Sequence, residues 1–465
     1  MIGLRRAALT ALAVILTAPA SAAGIELPDY ERVELPNGAV LLLSEKHDVP
    51  LIGMRVILRG GAVADPADRG GLADLFAGLL EYGAGDRDAA AFAEAVASVG
   101  GELSVSGGIE SMAISANFLS RDVELMLELV TDMLLQPSLA EEEFAKLQNR
   151  SINLIKAAKG SNPGNLLPSY GRAFLFGEHP YGNPVGGSET SLANITHADV
   201  LTFYDDHVGG DRLIVSVVGD FNAAAMKQRL TALLGDWRGA ATELAPTPVP
   251  ERQPGRRVLL IDKPDATQAN FWIGNVGVGI NYERRAELDI ANTVFGGRFT
   301  SMLNSALRLE SGLTYGAWSI LQRLAAGGFV AISTFSETDT TIEAINMSLD
   351  LLETLRDSGI DTPMIGSARN YIMGQFPPQL ETASQLAAQI ARLELYGLDA
   401  DYIDGYGGAL EAAEAPGITD TINAVYPSAD DVIFVVVGDA TALRDALAEY
   451  GPITEMSIDE PRFRP

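Results

Sequence analysis

The sequence contains no cysteine, which removes disulfides, thiol nucleophiles and thiolate metal sites together. Histidine is nearly as scarce. His47, His179, His197 and His207 are the full set, and no two stand four residues apart, so no helix face presents a pair of imidazoles. Basic residues are also few: Lys and Arg total 33 against 61 Asp and Glu, a formal charge of -28. Such a field repels phosphate backbones and anionic lipid and argues against nucleic acid as a partner. Beyond the N-terminal run, no stretch is long enough and apolar enough to span a bilayer. There is no G-x-S-x-G and no G-x-x-x-x-G-K-[ST], and Gly277-Val-Gly279 is an isolated pair inside a strand-like run.

What is present suffices for more than one core: 465 residues, 47% hydrophobic and only 20% charged. At the N-terminus Arg5 and Arg6 precede an apolar run from Ala7 to Pro19, and Ala20-Ser21-Ala22 offers a cleavage site. Residues 1–22 therefore read as an export signal, leaving 31 basic and 61 acidic residues and no membrane span in the mature chain. The expected location is the periplasm or the exterior, an oxidising compartment that a cysteine-free chain suits.

The remainder reads as a duplication. Asp211 to Asp220 and Asp430 to Asp439 are both apolar strands ending in Gly-Asp, with Gly219 and Gly438 separated by 219 residues. Val40-Leu-Leu-Leu-Ser and Val258-Leu-Leu-Ile-Asp, near the start of each unit, are offset by 218, nearly the same register. Two halves are expected, 25–237 and 258–465, joined by a linker over 238–257 that holds Pro246, Pro248, Pro250 and Pro254. Strand composition at 51–58 and 112–118, and helical periodicity at 72–80, 123–135, 141–158, 198–207, 286–295, 340–357, 363–375 and 382–396, predict an α+β class. Each half is then a mainly antiparallel sheet with helices on one face.

Several runs together resemble one family, the insulinase/pitrilysin peptidases or inverzincins. They are Arg59-Gly-Gly-Ala62, Arg69-Gly-Gly-Leu-Ala-Asp-Leu-Phe-Ala-Gly-Leu-Leu-Glu81, His179-Pro-Tyr-Gly-Asn-Pro-Val-Gly186, Phe295-Gly-Gly-Arg-Phe-Thr-Ser-Met-Leu303 and Leu307-Arg-Leu-Glu-Ser-Gly-Leu-Thr-Tyr-Gly316. The resemblance spans essentially the whole mature chain and implies two homologous halves arranged as a clamshell. Catalytic members carry H-x-x-E-H on a first-half helix, two zinc ligands and a general base. Here Asp74, Ala77 and Gly78 stand at those places, and the position of the third ligand falls near Leu154 or Ile155, where there is no carboxylate. Asp74 and Glu81 read as a solvated helix face, two turns and roughly 10 Å apart, too far for one ion.

The second-half counterpart survives. Arg308 and Tyr315, seven residues apart, stand where the family places an Arg and a Tyr that hydrogen-bond the substrate carbonyl region across the chamber. Some bacterial members are two-chain enzymes, one chain zinc-bearing and the other supplying this pair, and this chain resembles the second kind. The resemblance thus implies no metal in this chain, zinc in a homologous partner subunit, and a peptide or unfolded polypeptide substrate. Gly296-Gly297 is too short to be the long glycine-rich loop with which a mitochondrial relative grips presequences. Two other readings stand beside this one: a non-enzymatic structural or peptide-binding homologue, and a hydrolase built on a Ser/His/Asp cluster brought together by folding.

Overall fold

The computed structural model describes residues 26–252 and 254–465, so the expected signal over 1–22 lies outside the described residues. Twelve strands form two six-stranded sheets. The first holds β1 (Glu31–Glu34), β2 (Val40–Glu45), β3 (Leu51–Arg59), β4 (Glu102–Gly107), β5 (Ser111–Leu119) and β6 (Leu213–Gly219), in the order β1-β2-β6-β3-β5-β4. The second holds β7 (Arg257–Asp262), β8 (Gln268–Gly277), β9 (Ala317–Arg323), β10 (Gly328–Glu337), β11 (Ile433–Gly438) and β12 (Ile453–Ser457), in the order β12-β7-β11-β8-β10-β9. Without the outermost β1 and β12 the two orders are the same permutation. In each, an opening strand runs parallel to the Gly-Asp strand, Val40 opposite Ile214 and Val258 opposite Phe434, while the pairs from β3 to β4 and from β8 to β9 are antiparallel.

The central strands dictate how the halves meet. β6 and β11 are buried along their whole length, because Leu-Ile-Val-Ser-Val-Val-Gly and Ile-Phe-Val-Val-Val-Gly present apolar side chains to both faces. One face of each sheet is covered by helices of its own half. The other is covered by a helix from the opposite half. Helix α4 (Leu167–Phe176) lays Leu167, Tyr170 and Ala173 against Leu259, Trp272 and Val435 of the second sheet. Helix α8 (Ala383–Tyr396) lays Leu386, Ala387 and Ile390 against Leu42, Ile57 and Ile214 of the first. The approach is close: a Cβ at Gly53 would lie 2.4 Å from the Ser384 nitrogen, and one at Gly171 would lie 3.2 Å from the Trp272 ring. Each half thus lends one helix to cover the sheet of the other.

The segment between Leu234 and Arg257 has no helix or strand among the described residues and is pinned at points along its length. The Arg238 guanidinium donates to the carbonyls of Tyr204, Asp205 and Val208, and the Pro248 carbonyl lies 2.9 Å from His179 Nε2. No helix among the described residues is long and apolar enough to cross a membrane.

Candidate functional site

Helix α1 (Leu72–Leu79) is the segment that resembles the zinc helix, and it is packed on nearly every side, with Leu72, Ala73, Leu75, Phe76, Ala77 and Leu79 all buried. Its N-terminus is held by Asp65, whose carboxylate accepts the Gly71 N–H at 2.7 Å and the Ala73 N–H at 2.8 Å. The remaining face does not meet open water, which corrects the expectation of a solvated face. Strand β4 is the outer strand of its sheet, so alternate N–H groups lack a ladder partner. Glu81 accepts the Val105 N–H at 2.6 Å and Asp74 accepts that of Gly107. Burial pushes the Asp74 carboxyl above its ordinary range, the Gly107 bond pulling the other way. Ala77 offers no donor atom, and a Cβ at Gly78 would already lie 3.0 Å from the Leu147 side chain. Leu154 projects into solvent and Ile155 packs against two apolar clusters. These residues do not fit a zinc ion, and among the described residues no group of three or more His, Asp or Glu side chains is placed to hold a metal.

Asp65 is the most perturbed acid of this region, only 7% exposed. Burial pushes its carboxyl up to about 8, with backbone hydrogen bonds from Ala73, Gly71 and Leu72 opposing and Asp74 adding repulsion. The folded chain then holds a proton that the unfolded chain, with an ordinary carboxyl near 3.8, has already lost. Stability should therefore fall as pH rises from about 4 through about 8. Asp65→Asn, which cannot titrate and keeps only one acceptor oxygen, should cost about 1 kcal/mol at low pH and flatten that decline. Urea denaturation across the window tests this, and an unchanged slope in the variant would remove Asp65 as its source.

The histidines make no hydrolytic site. His47 does meet Asp220 and Ser120, but in the wrong order: its Nδ1 is 2.7 Å from Asp220 and its Nε2 is 3.3 Å from Glu45, while Ser120 donates to the other Asp220 oxygen. A nucleophilic serine must bond the imidazole, and here both ring nitrogens face carboxylates, which raises the imidazole's affinity for protons. His179 lies between the Pro248 carbonyl and the Tyr181 N–H, and His197 faces the Leu139 carbonyl. Among the described residues the histidines bring no Ser/His/Asp cluster together in catalytic order.

In the second half, helix α5 (Arg285–Asn292) does not continue to 295 as a regular helix. It widens into a π turn at Thr293–Gly297, because the backbone at Gly296 comes so close to β9 that a Cβ there would lie 2.2 Å from the Ser319 nitrogen. A second π turn, Ser305–Glu310, carries Arg308. Such widened turns re-aim side chains and recur at functional sites. Between Arg308 and β9 the chain is fixed by small polar residues. Asn304 donates to the Phe299 carbonyl and accepts from the Ala317 N–H, while Thr334 donates to the Gly316 carbonyl at 2.8 Å and the Thr314 hydroxyl accepts the Gly316 N–H.

On this rigid loop Tyr315 stands out, 74% exposed. The Arg308 guanidinium lies over its ring at 4.2 Å and over the Phe299 ring at 4.8 Å, and makes no ion pair among the described residues. The pair that the sequence singles out is thus together, Tyr315 exposed and Arg308 half-buried, with no hydrogen bond from either donor group among the described residues. Phe299 and Trp318 join them at the surface, 57% and 52% exposed, and no spacing in the sequence signals this, because it depends on how the loop is folded against β9.

Two family models match the chain, the insulinase (peptidase family M16) domain over residues 40–188 and the peptidase M16 inactive domain over 194–370. The chain belongs to the insulinase family. Among its M16 relatives, a Mycobacterium tuberculosis protein named an uncharacterised zinc protease is 27% identical over 373 residues, spanning 79% of this chain and 84% of the relative. The Bacillus subtilis zinc protease YmxG is 22% identical, spanning 78% of this chain and 88% of the relative. The M16 fold is shared with a solved peptidase M16 inactive domain from Pseudomonas fluorescens at a TM-score of 0.81 and 21% identity, spanning 88% of this chain and 98% of that one. It is shared also with the periplasmic protease PqqL of Escherichia coli, TM-score 0.75 and 15% identity, spanning 94% of this chain and 49% of that larger chain.

Proposed function

We propose that this chain is the zinc-less subunit of a heterodimeric periplasmic metallopeptidase, supplying Arg308 and Tyr315 to a homologous H-x-x-E-H subunit that hydrolyses peptides. The observation that carries this reading is the pair itself: an exposed phenol and a half-buried guanidinium stacked on its ring, neither with a hydrogen-bond or ion-pair partner among the described residues, on a braced loop beside a first half whose residues at the zinc positions do not fit the ion. A carbonyl under attack gathers negative charge on its oxygen, and a guanidinium and a phenol fixed beside it stabilise that charge without having to reorganise. The zinc would be held by the partner and supply the hydrolytic centre there. The cross-over helices support the same reading, since they cover the face that each sheet turns to the other half. The division at 25–237 and 258–465 through the linker 238–257, and export by residues 1–22, belong to this proposal.

Purified alone, the chain is expected to hold no stoichiometric zinc by elemental analysis and to cleave no peptide. Mixed with an H-x-x-E-H chain from the same organism, it is expected to co-elute in gel filtration, with an interface well above ~1,000 Å² in total. One tightly held zinc per chain with peptidase activity would overturn the assignment. Separate elution at micromolar concentration would leave the non-enzymatic homologue as the better account.

A further inference from the structure

The end of the first sheet carries two arginines that the fold itself does not require. In the antiparallel register of β3 with β6, Ile57 faces Ile214 and Leu58 faces Leu213, so Arg59 and Arg212 follow as the next pair, on the face that α8 covers. Like charges placed opposite one another destabilise a sheet. The duplication supplies an internal comparison: in the second sheet Gly274 faces Ile433, which puts Val276 and Asp431 at the corresponding places. Neither of those is basic.

The protein does not satisfy either guanidinium. Arg212 is 5% exposed, and although its Nε donates to Asp211 and its Nη2 to the Thr242 carbonyl, the buried Nη1 has no hydrogen-bond partner among the described residues. Arg59 donates one N–H to the Glu394 carbonyl at 3.2 Å, while the Glu394 carboxylate stands 3.9 Å off with both oxygens already taken by Arg32. No carboxylate is thus in hydrogen-bond contact with Arg59. This side chain lines a cavity of about 470 Å³ whose other walls are mostly apolar: Val63 of the first half, Leu244 and Val249 of the connection, Leu395 of α8 and Ala325 of the β9–β10 turn. The single carboxylate in that lining, Glu110, is engaged elsewhere, accepting the Tyr181 hydroxyl at 2.5 Å and the Ala325 N–H at 3.1 Å.

We infer that this cavity binds a small monocarboxylic acid with an apolar body, the carboxylate neutralising the Arg59–Arg212 pair and the body resting on the apolar walls. A volume of this size holds a small organic molecule. A guanidinium pairs with a carboxylate through two parallel N–H bonds, which a neutral molecule cannot match. A cation would add a third like charge, and a compact dianion such as phosphate would leave the apolar walls uncovered and be opposed by a chain of charge -28. Because both halves and the connection contribute walls, an occupant should also raise the unfolding temperature. The inference does not depend on the peptidase reading, and the chain alone suffices to test it.

The experiment is calorimetric titration of the full chain with octanoate, octanamide, acetate and inorganic phosphate. Octanoate is expected to bind at one site per chain, at least ~10-fold more tightly than any of the others, as one charged hydrogen-bonded pair and several buried methylene groups allow. Arg59→Gln should weaken it by at least ~10-fold. Leu244→Trp, which fills the cavity from the connection and leaves both arginines in place, should abolish it and carries the test if Arg59→Gln fails to fold. A second arm asks whether the tetrapeptide Ala-Ala-Ala-Leu competes with octanoate as its free acid and not as its amide. Competition extends the site to peptide termini, and its absence confines the site to free acids; both support a carboxylate pocket. Octanamide or phosphate binding as tightly as octanoate, octanoate affinity unchanged in either folded variant, or no octanoate binding at millimolar concentration overturns it.

Discussion

Tyr315→Phe is expected to lower kcat of the assembled, zinc-loaded complex by roughly 10²-fold, the loss associated with one donor to a developing oxyanion. The change removes a single hydroxyl from a side chain that is 74% exposed, so neither the fold nor the stack of Arg308 on the ring has reason to alter. KM should move less than kcat, because the donor acts most strongly once charge has formed on the carbonyl oxygen. Arg308→Ala removes a charged donor together with its stack on two rings, so binding and turnover should both fall. The two residues act on one charge, and the double variant should cost less than the sum of the singles. Assembly and zinc content should not change. Turnover untouched by Tyr315→Phe in an assembled complex would make this chain a scaffold.

Trp272→Ala should produce the largest loss of stability, about 3–5 kcal/mol, as for deletion of a large buried aromatic side chain. Trp272 is 1% exposed and sits where α4 of the first half covers the second sheet, edge-on to Phe329 and against the helix at Gly171. The cavity would open in the seam between the halves. Tyr170, which packs edge-on to the buried Phe463 of the C-terminal segment, would lose support at the same place. Urea denaturation should show a lower midpoint, and limited proteolysis should show faster cleavage within the 238–257 connection. A loss below ~1 kcal/mol would mean that α4 does not bear on this sheet.

How far the sequence foretells this molecule depends on the range of the interactions concerned. The duplication is legible because it is written in local runs: the strands ending at Gly219 and Gly438 occupy equivalent places in two sheets of equal order. The same runs, apolar on both faces, already demand cover on two sides, but nothing local says that 167–176 and 383–396 cross over to supply it. Periodicity correctly sets Asp74 and Glu81 on one side of α1. Whether that side meets water or a strand edge is decided by β4, about 25 residues further on, whose N–H groups take both carboxylates. The expected helix over 286–295 ends early because of a contact with Ser319, again distant in sequence. At the candidate site the spacing of Arg308 and Tyr315 was readable, but the exposure of Phe299 and Trp318, which turns a pair of donors into a surface, was not.

If this chain completes a zinc-bearing partner, the partner's activity depends on it. The most direct test is the peptidase activity of a purified H-x-x-E-H chain from the same organism, measured as this chain is titrated into it. Activity is expected to rise with added chain and saturate at equimolar ratio, while Tyr315→Phe saturates at the same ratio with roughly 1% of the rate. Activity of the zinc-bearing chain that is complete by itself and indifferent to this chain at every ratio would contradict that dependence.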